Sequence, residues 1–560
     1  MIDKTGGNEK SIPLFPSNNF ESIYDDFQVK GSQAIEHVGE YDIVIVGGGI
    51  SGLTAAWQVR EHYSTLLLDQ GNKLGGNACS NQWNDLRFST AGTCFQKPLL
   101  ESDVGKLLMD LDLWNKWQET DEDTLVLFNT KELIKNLNEV TKSLLKQPSS
   151  LKNPSIYALS KNLVTNLVTK KRYVAAPKKL GDPVFIELFK YLEKFTPSNK
   201  HPQLPWHNNC QWSREEMELF DSISLHDLFC NHDIRRTLPK ELVPSYKIGS
   251  LVINSIETTL RVECLSTKSV SAYVGIYFLV GYLYGTLVAF PGGNGYISEQ
   301  LERNLSSCKN CTLQSKSKVI SITEQDNNYI IRYSQQNQML EVKAKSVIWA
   351  APKYSAINAI KHIPTNQLQA MKAIKHHDYC IAGVFLNEPI WPDKFGGYLI
   401  EDLTSCTDTN IWCKAGTCLV ANWQDPGYPD DYGIITLLKP IANSQDQGKL
   451  NKIDFKDLQL SVLSEVCDIL EAAGQSSQII KDIKIWRWNQ GLVISEIGQI
   501  KNNIFNLASS PNKGLFFANQ DSIGIGNIES AIYAGNWAAT STIAYLSNHY
   551  NNTIPNKQAV

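Results

Sequence analysis

The apolar positions of this chain fall into short runs of changing character. Val44 to Val46 form an unbroken run, Leu53 to Val59 reads as a helix, and Thr65 to Leu68 is again unbroken, which predicts strand, helix, strand. At the far end, Lys513 to Ala539 reads as a strand, a Gly-rich polar turn and a helix. Between them, Ser317 to Tyr333 holds two alternating runs joined by Asp326-Asn327-Asn328, the pattern of a hairpin. Lys345 to Pro352 adds another short apolar run.

Two longer stretches stand apart. No residue from Ser269 to Ser298 is charged, and the run contains a GxxxG from Gly281 to Gly285. A membrane span needs about twenty apolar residues, so length permits one. The run stops at Pro291-Gly292-Gly293, lacks flanking Lys or Arg clusters, and carries its aromatics in the middle rather than at its ends. The expectation is a buried helix lining an apolar pocket. From Lys131 to Leu180, by contrast, eleven Lys or Arg face two Glu. Its first part sets Leu133, Ile134, Leu137, Val140, Leu144 and Leu145 on one helical stripe, which predicts a surface helix with a solvated lysine face. Peripheral contact with an anionic membrane is the alternative for that face.

Composition narrows the class. At 560 residues the chain should hold more than one domain. A net charge of −4 gives no global bias toward nucleic acid or membrane. Twelve scattered Cys show no disulfide framework, which fits free thiols in a reducing, cytoplasmic setting. Cys308 and Cys311 form a CxxC without a second pair or a nearby His, and a surface turn is expected rather than zinc. Residues 1–40 have no apolar signal core and read as a polar extension.

The chemistry begins at Gly47, Gly49 and Gly52, which follow the first strand at the spacing G-x-G-x-x-G. They allow a tight turn, close approach of a pyrophosphate, and close packing of helix on strand. The helix N-terminus then directs N–H groups at the phosphates. Asp69 ends the second strand, 22 residues after Gly47, where a carboxylate hydrogen-bonds a ribose hydroxyl. Gly75, Gly76 and Asn77 follow, a second glycine pair for which nicotinamide-binding folds have no need.

With these motifs, and with "FPGGNGYISEQL", "KSVIWAAP", "WRWNQGLVISEIGQ" and "LFFANQD" further on, the chain resembles the flavin-containing amine oxidase superfamily, which includes phytoene desaturase-like and protoporphyrinogen oxidase-like enzymes. The resemblance is strong over 41–100, 288–355 and 480–540 and faint over 105–265. It implies an α/β fold: a Rossmann-like FAD-binding domain built from discontinuous segments, interleaved with an α+β substrate domain. The FAD-binding segments would be 41–104, 288–356 and 505–547, the substrate segments 105–287 and 357–504, and 548–560 a tail.

By the same resemblance, Gly47, Gly49, Gly52 and Asp69 would hold the ADP half, and Gly75, Gly76 and Asn77 would line the pyrophosphate. Val319 would pair its backbone with the adenine. Asp521 would meet the ribityl or pyrophosphate region, and the turn Asn527-Ile528-Glu529 would offer an N–H to the flavin pyrimidine oxygen. Family members usually carry Glu in place of Asp69 and Arg in place of Asn77, so the second difference removes a cation. With no Cys after Cys467, FAD should be non-covalent.

A flavin takes a hydride from carbon, so no side chain need act as nucleophile. Asn387, in "NEPIW", stands where many amine oxidases have a Lys that reaches the flavin through water. Trp486 and Trp488, on one face of a strand, are placed either at the substrate side of the flavin or in the core. Trp391, Tyr398 and residues 273–290 would complete an apolar pocket, and His376 and His377 are assigned to a surface loop. The expected function is FAD-dependent hydride removal from a small organic molecule, first an amine. Desaturation or isomerisation of an apolar, isoprenoid-like substrate at a membrane surface comes second, then a non-redox flavoprotein mutase, then an idle subunit. No metal is expected, and the sequence sets no oligomeric state.

Overall fold

The computed structural model describes residues 35–119, 125–128, 132–134, 186–196, 212–244, 248, 250–390, 396–400, 417–427, 431–440 and 455–550. Most of the basic 131–180 stretch, most of the N-terminal extension, Trp391, the end of the tail and the side chain of Tyr398 lie outside the described residues.

Ile43–Val46 and Thr65–Leu68 are buried throughout, as unbroken apolar strands in a parallel sheet should be. They form the centre of a seven-stranded sheet. Its parallel part runs Cys311–Gln314, Thr65–Leu68, Glu36–Val46, Gln338–Trp349, with Leu515–Phe517 pairing the end of Gln338–Trp349. The expected hairpin, Ser317–Gln325 with Asn328–Gln335, continues the sheet antiparallel. Its two turn residues, Asp326 and Asn327, sit at φ 50° and 59°, as such a tight turn requires. The first strand begins at Glu36, so the polar extension is shorter than the sequence suggested. The helix after the Gly turn spans Ile50–Val59, and the long C-terminal helix Ile528–Tyr550 packs against it, with Gly535 close to the Ser51 carbonyl.

A second seven-stranded sheet carries the strands Ile480–Ile494, Lys375–Leu386, Gly433–Pro440, Thr417–Val420, Gly396–Ile400, Leu125–Phe128 and Glu132–Ile134, in that order. Glu132–Ile134 falls inside the stretch expected to be an amphipathic helix. It pairs antiparallel with Leu125–Phe128 instead, because a free sheet edge supplies hydrogen bonds that override a local helical pattern. Helix Phe455–Ala472 covers one face of this sheet through Leu458, Val462, Val466 and Ile469.

The uncharged stretch folds as the helix Ala272–Tyr284, capped by Ser271, and then the strand Leu287–Ala289. Thirteen residues reach only about 20 Å, short of a bilayer core. No described helix is long and apolar enough to cross a membrane. The glycines of its GxxxG face Gln96, whose amide lies where a Gly281 side chain would be. Its role is to wall a cavity.

Candidate cofactor and substrate site

An elongated cavity of about 860 Å³ runs between the two sheets. One end is the Gly turn. A Cβ on Gly52 would stand 1.9 Å from the Gly47 carbonyl, so only glycine lets helix Ile50–Val59 start there. Gly49 caps that helix without any side chain, and a Cβ on Gly76 would lie 3.1 Å from the Gly49 Cα. The two Gly loops are therefore pressed together and present bare backbone to the cavity. Asp69 borders it as well. Its carboxylate accepts from the N–H of Gly48 and of Gly71, each at 2.6 Å, while burial pushes its pKa up.

The other predicted positions are distributed less simply. Val319 lines the cavity next to Lys318, beside a strand irregularity. Asn77 lines it too, and its amide donates to the Gly491 carbonyl across the opening. Gly75 N–H bonds the Gly48 carbonyl at 2.8 Å and positions the second loop rather than facing the cavity. Asn527 and Ile528 line the far half, where Asn527 Oδ1 accepts the Ser530 N–H and opens the C-terminal helix.

Four expectations are corrected. Asp521 does not border the cavity: it is fully buried, bonded to Lys353 through both backbone N–H and ammonium, each at 2.7 Å. Burial raises its pKa, but Lys353 and His376 outweigh that and hold it at about 2. Asn387 sits exposed just past the end of strand Lys375–Leu386, whereas Tyr379 and Ile381 of that strand are the residues that reach the cavity. Six residues of strand separate Asn387 from Ile381, on the order of 20 Å. Trp488 lines the cavity and donates from its indole to the Thr90 carbonyl at 2.9 Å. Trp486 is core, packed on Phe88 and on the bare backbone of Gly383. His376 and His377 lie on a strand, not a surface loop; His376 is buried 3.5 Å from Asp521, and burial pushes His377 down to about 4.

The far half of the cavity joins the expected wall from the uncharged helix to three residues that sequence reasoning passed over, Glu263, Cys94 and Gln96. Tyr277, Phe278 and Tyr282 come from the uncharged helix, Glu263 from the turn before it, Glu529 from the first turn of the last helix, and Cys94 and Gln96 from the first segment. No local pattern singles out Glu263 from Glu257, or marks Cys94 and Gln96. Ile381, Leu419 and Leu438 add an apolar wall. Cys308 and Cys311 form a turn, with Cys311 N–H bonded to the Cys308 carbonyl at 3.2 Å.

This architecture, a Gly-turn dinucleotide cradle opening into a chamber walled by a second sheet, is that of an oxidoreductase with a nucleotide-type cofactor. Residues 45–109 match the NAD(P)-binding Rossmann-like domain family. The chain is 44% identical over 513 residues to "Oxidoreductase PigB" of Serratia sp. (strain ATCC 39006), covering 91% of this chain and 76% of that protein. In fold it is similar to cyclohexylamine oxidase from Brevibacterium oxydans IH-35A, at 14% identity and TM-score 0.58, over 91% of this chain and all of that one. Wild-type putrescine oxidase aligns at 14% identity and TM-score 0.57, over 91% of this chain and 100% of that one. A putative protoporphyrinogen oxidase from Exiguobacterium sp. 255-15 aligns at 14% and 0.54, over 92% and 100%. The chain belongs to the same oxidoreductase family as this PigB protein, and it has the fold of these amine and protoporphyrinogen oxidases.

Proposed function

We propose that the chain binds FAD non-covalently and removes a hydride from a carbon next to nitrogen in a small amine. The observation that carries this reading is the continuity of one cavity from the Gly47–Gly52 and Gly76 backbone cradle to a chamber lined by Tyr277, Tyr379 and Trp488. The cradle fits a pyrophosphate, because Gly47, Gly49 and Gly76 line it without side chains at the N-terminus of helix Ile50–Val59. FAD, when bound, supplies a hydride acceptor. The protein's own contribution is to hold the amine in the chamber, exclude water from it, and manage the proton on nitrogen.

The apolar wall of Ile381, Leu419 and Leu438 also supports a second reading, desaturation or isomerisation of an apolar substrate. An absorption spectrum before and after acid precipitation tests the cofactor, and flavin released to the supernatant is the expected result. Anaerobic titration with a panel of amines then tests the reaction. Bleaching by an amine supports the first reading; bleaching only by apolar alkenes or lipid extracts replaces it with the second.

A further inference from the structure

The cavity is asymmetric in charge. Among its described lining residues the only basic one is Lys318, whose neighbour Ser317 donates its backbone N–H to the Asp69 carbonyl at the Gly-loop end. The chamber end holds two carboxyls, Glu263 and Glu529, close enough for Glu529 to disfavour charge on Glu263. The groups facing them from the surrounding elements are Cys94, Tyr277, Tyr282 and Tyr379, all neutral acids. Glu529 is fixed in place in the first turn of the last helix: its Oε1 accepts the Gln96 N–H at 2.9 Å, while burial pushes its pKa up. Glu263 is held by one hydroxyl, that of Tyr282. Two carboxyls ringed by tyrosines, with no cation beside them among the described residues, make a receptor for a positively charged nitrogen.

We propose that Glu263 binds the ammonium group of the substrate and takes a proton from its nitrogen, with Glu529 as a second, fixed carboxyl, so that the substrate is a basic amine with an apolar body. The inference rests on the amine reading above. The N–H bond breaks, its electron pair stays on nitrogen, and the proton forms an O–H bond on the Glu263 carboxylate. With that lone pair free, a bound oxidised flavin would supply the acceptor for the α-carbon hydride and its C–H electron pair, and the nitrogen lone pair would form the C=N bond of an iminium product. Burial raises the Glu263 pKa to about 7, against the pull of the Tyr282 hydrogen bond, which suits a proton acceptor working near neutrality.

The test is calorimetry on the flavin-loaded protein with tetramethylammonium, a cation with no proton to give and no lone pair to support oxidation. Tert-butanol is its uncharged near-isostere. Titration at pH 7 in two buffers of different ionisation enthalpy counts the protons released. The expected result is binding of the cation at least ~10-fold tighter than tert-butanol, with about half a proton released as Glu263 ionises. Glu263→Gln should lose that release and weaken the cation at least ~10-fold. Tyr282→Phe removes a hydrogen bond to the charged form and should move the release toward one proton. Equal binding of cation and alcohol, or release unchanged in Glu263→Gln, overturns the proposal. An amine that bleaches the flavin while release is independent of Glu263 overturns the role of Glu263 and leaves amine oxidation standing. Glu263-dependent release with no amine oxidised keeps the cation site and overturns the reaction.

Discussion

Lys353 Nζ lies 2.7 Å from Asp521 Oδ1, and neither side chain reaches solvent. Lys353 also donates to Ser522 Oγ at 2.7 Å. The pair joins the loop after strand Gln338–Trp349 to the turn after Leu515–Phe517, and Ala351, Pro352, Asn519 and Gln520 beside it all line the cavity. Removing one member leaves an uncompensated buried charge. Lys353→Met is therefore expected to destabilise by about 3–5 kcal/mol in urea denaturation, and Lys353→Met with Asp521→Leu to recover most of that. A single variant as stable as wild type would show that the two side chains are not ionised in the folded protein.

The Gly cradle gives a sharper loss. Gly52→Ala places a methyl 1.9 Å from the Gly47 carbonyl, so the strand–helix turn must open. The expected outcome is a protein purified with little flavin and at least ~10-fold weaker reconstitution by FAD titration. Unchanged flavin content would remove the cradle from the cofactor site.

The two tryptophans should separate. Trp486→Ala is expected to cost about 3–5 kcal/mol of stability, as a core truncation does. Trp488→Phe keeps the ring but loses the hydrogen bond to Thr90, and should change KM or kcat with a stability loss of only about 1 kcal/mol. Steady-state kinetics and thermal melts on both variants distinguish wall from core.

Asn387→Lys, which restores the residue common in the family, is expected to leave turnover within about two-fold of wild type. Its position lies on the order of 20 Å of strand from Ile381. A large gain in rate would mean that the chain end of this strand reaches the cofactor after all.

The Glu263 carboxyl also makes stability depend on pH. Its pKa is raised in the folded state, from 4.5 to about 7. Below 4.5 folded and unfolded states are both protonated and the group contributes nothing. Between 4.5 and about 7 only the unfolded state loses the proton, so wild type loses stability as pH rises, by up to roughly 3 kcal/mol at the plateau. Glu263→Gln should melt close to wild type at pH 4.5 and higher than wild type at pH 8. A variant that melts lower at pH 8 would contradict the raised pKa.

How much of this was legible in the sequence follows from the kind of constraint involved. Gly47, Gly49, Gly52 and Gly76 were readable because backbone contact tolerates no side chain, and that rule is local. The two faces of the fold were readable because unbroken apolar runs signal buried parallel strands. Asp521 and Asn387 were misplaced because each was matched by neighbouring letters, while its true position depends on partners far along the chain. Asp521 meets Lys353 across 168 residues. Glu263 was missed for the same reason. Nothing local marks a lone acid as the floor of a chamber whose other walls come from residues 94–96, 379–381 and 527–529.

The strand Leu515–Phe517 and the helix Ile528–Tyr550 complete the same layer that Glu36–Val46 begins. On a ribosome, then, the Gly motif emerges long before its supporting helix exists. At roughly 5–20 residues per second the first strand waits on the order of a minute for the last one. A nascent chain that has not yet reached residue 550 lacks the helix that packs on the Gly turn, so the nucleotide cradle gains its support only after residues 515–550 are made.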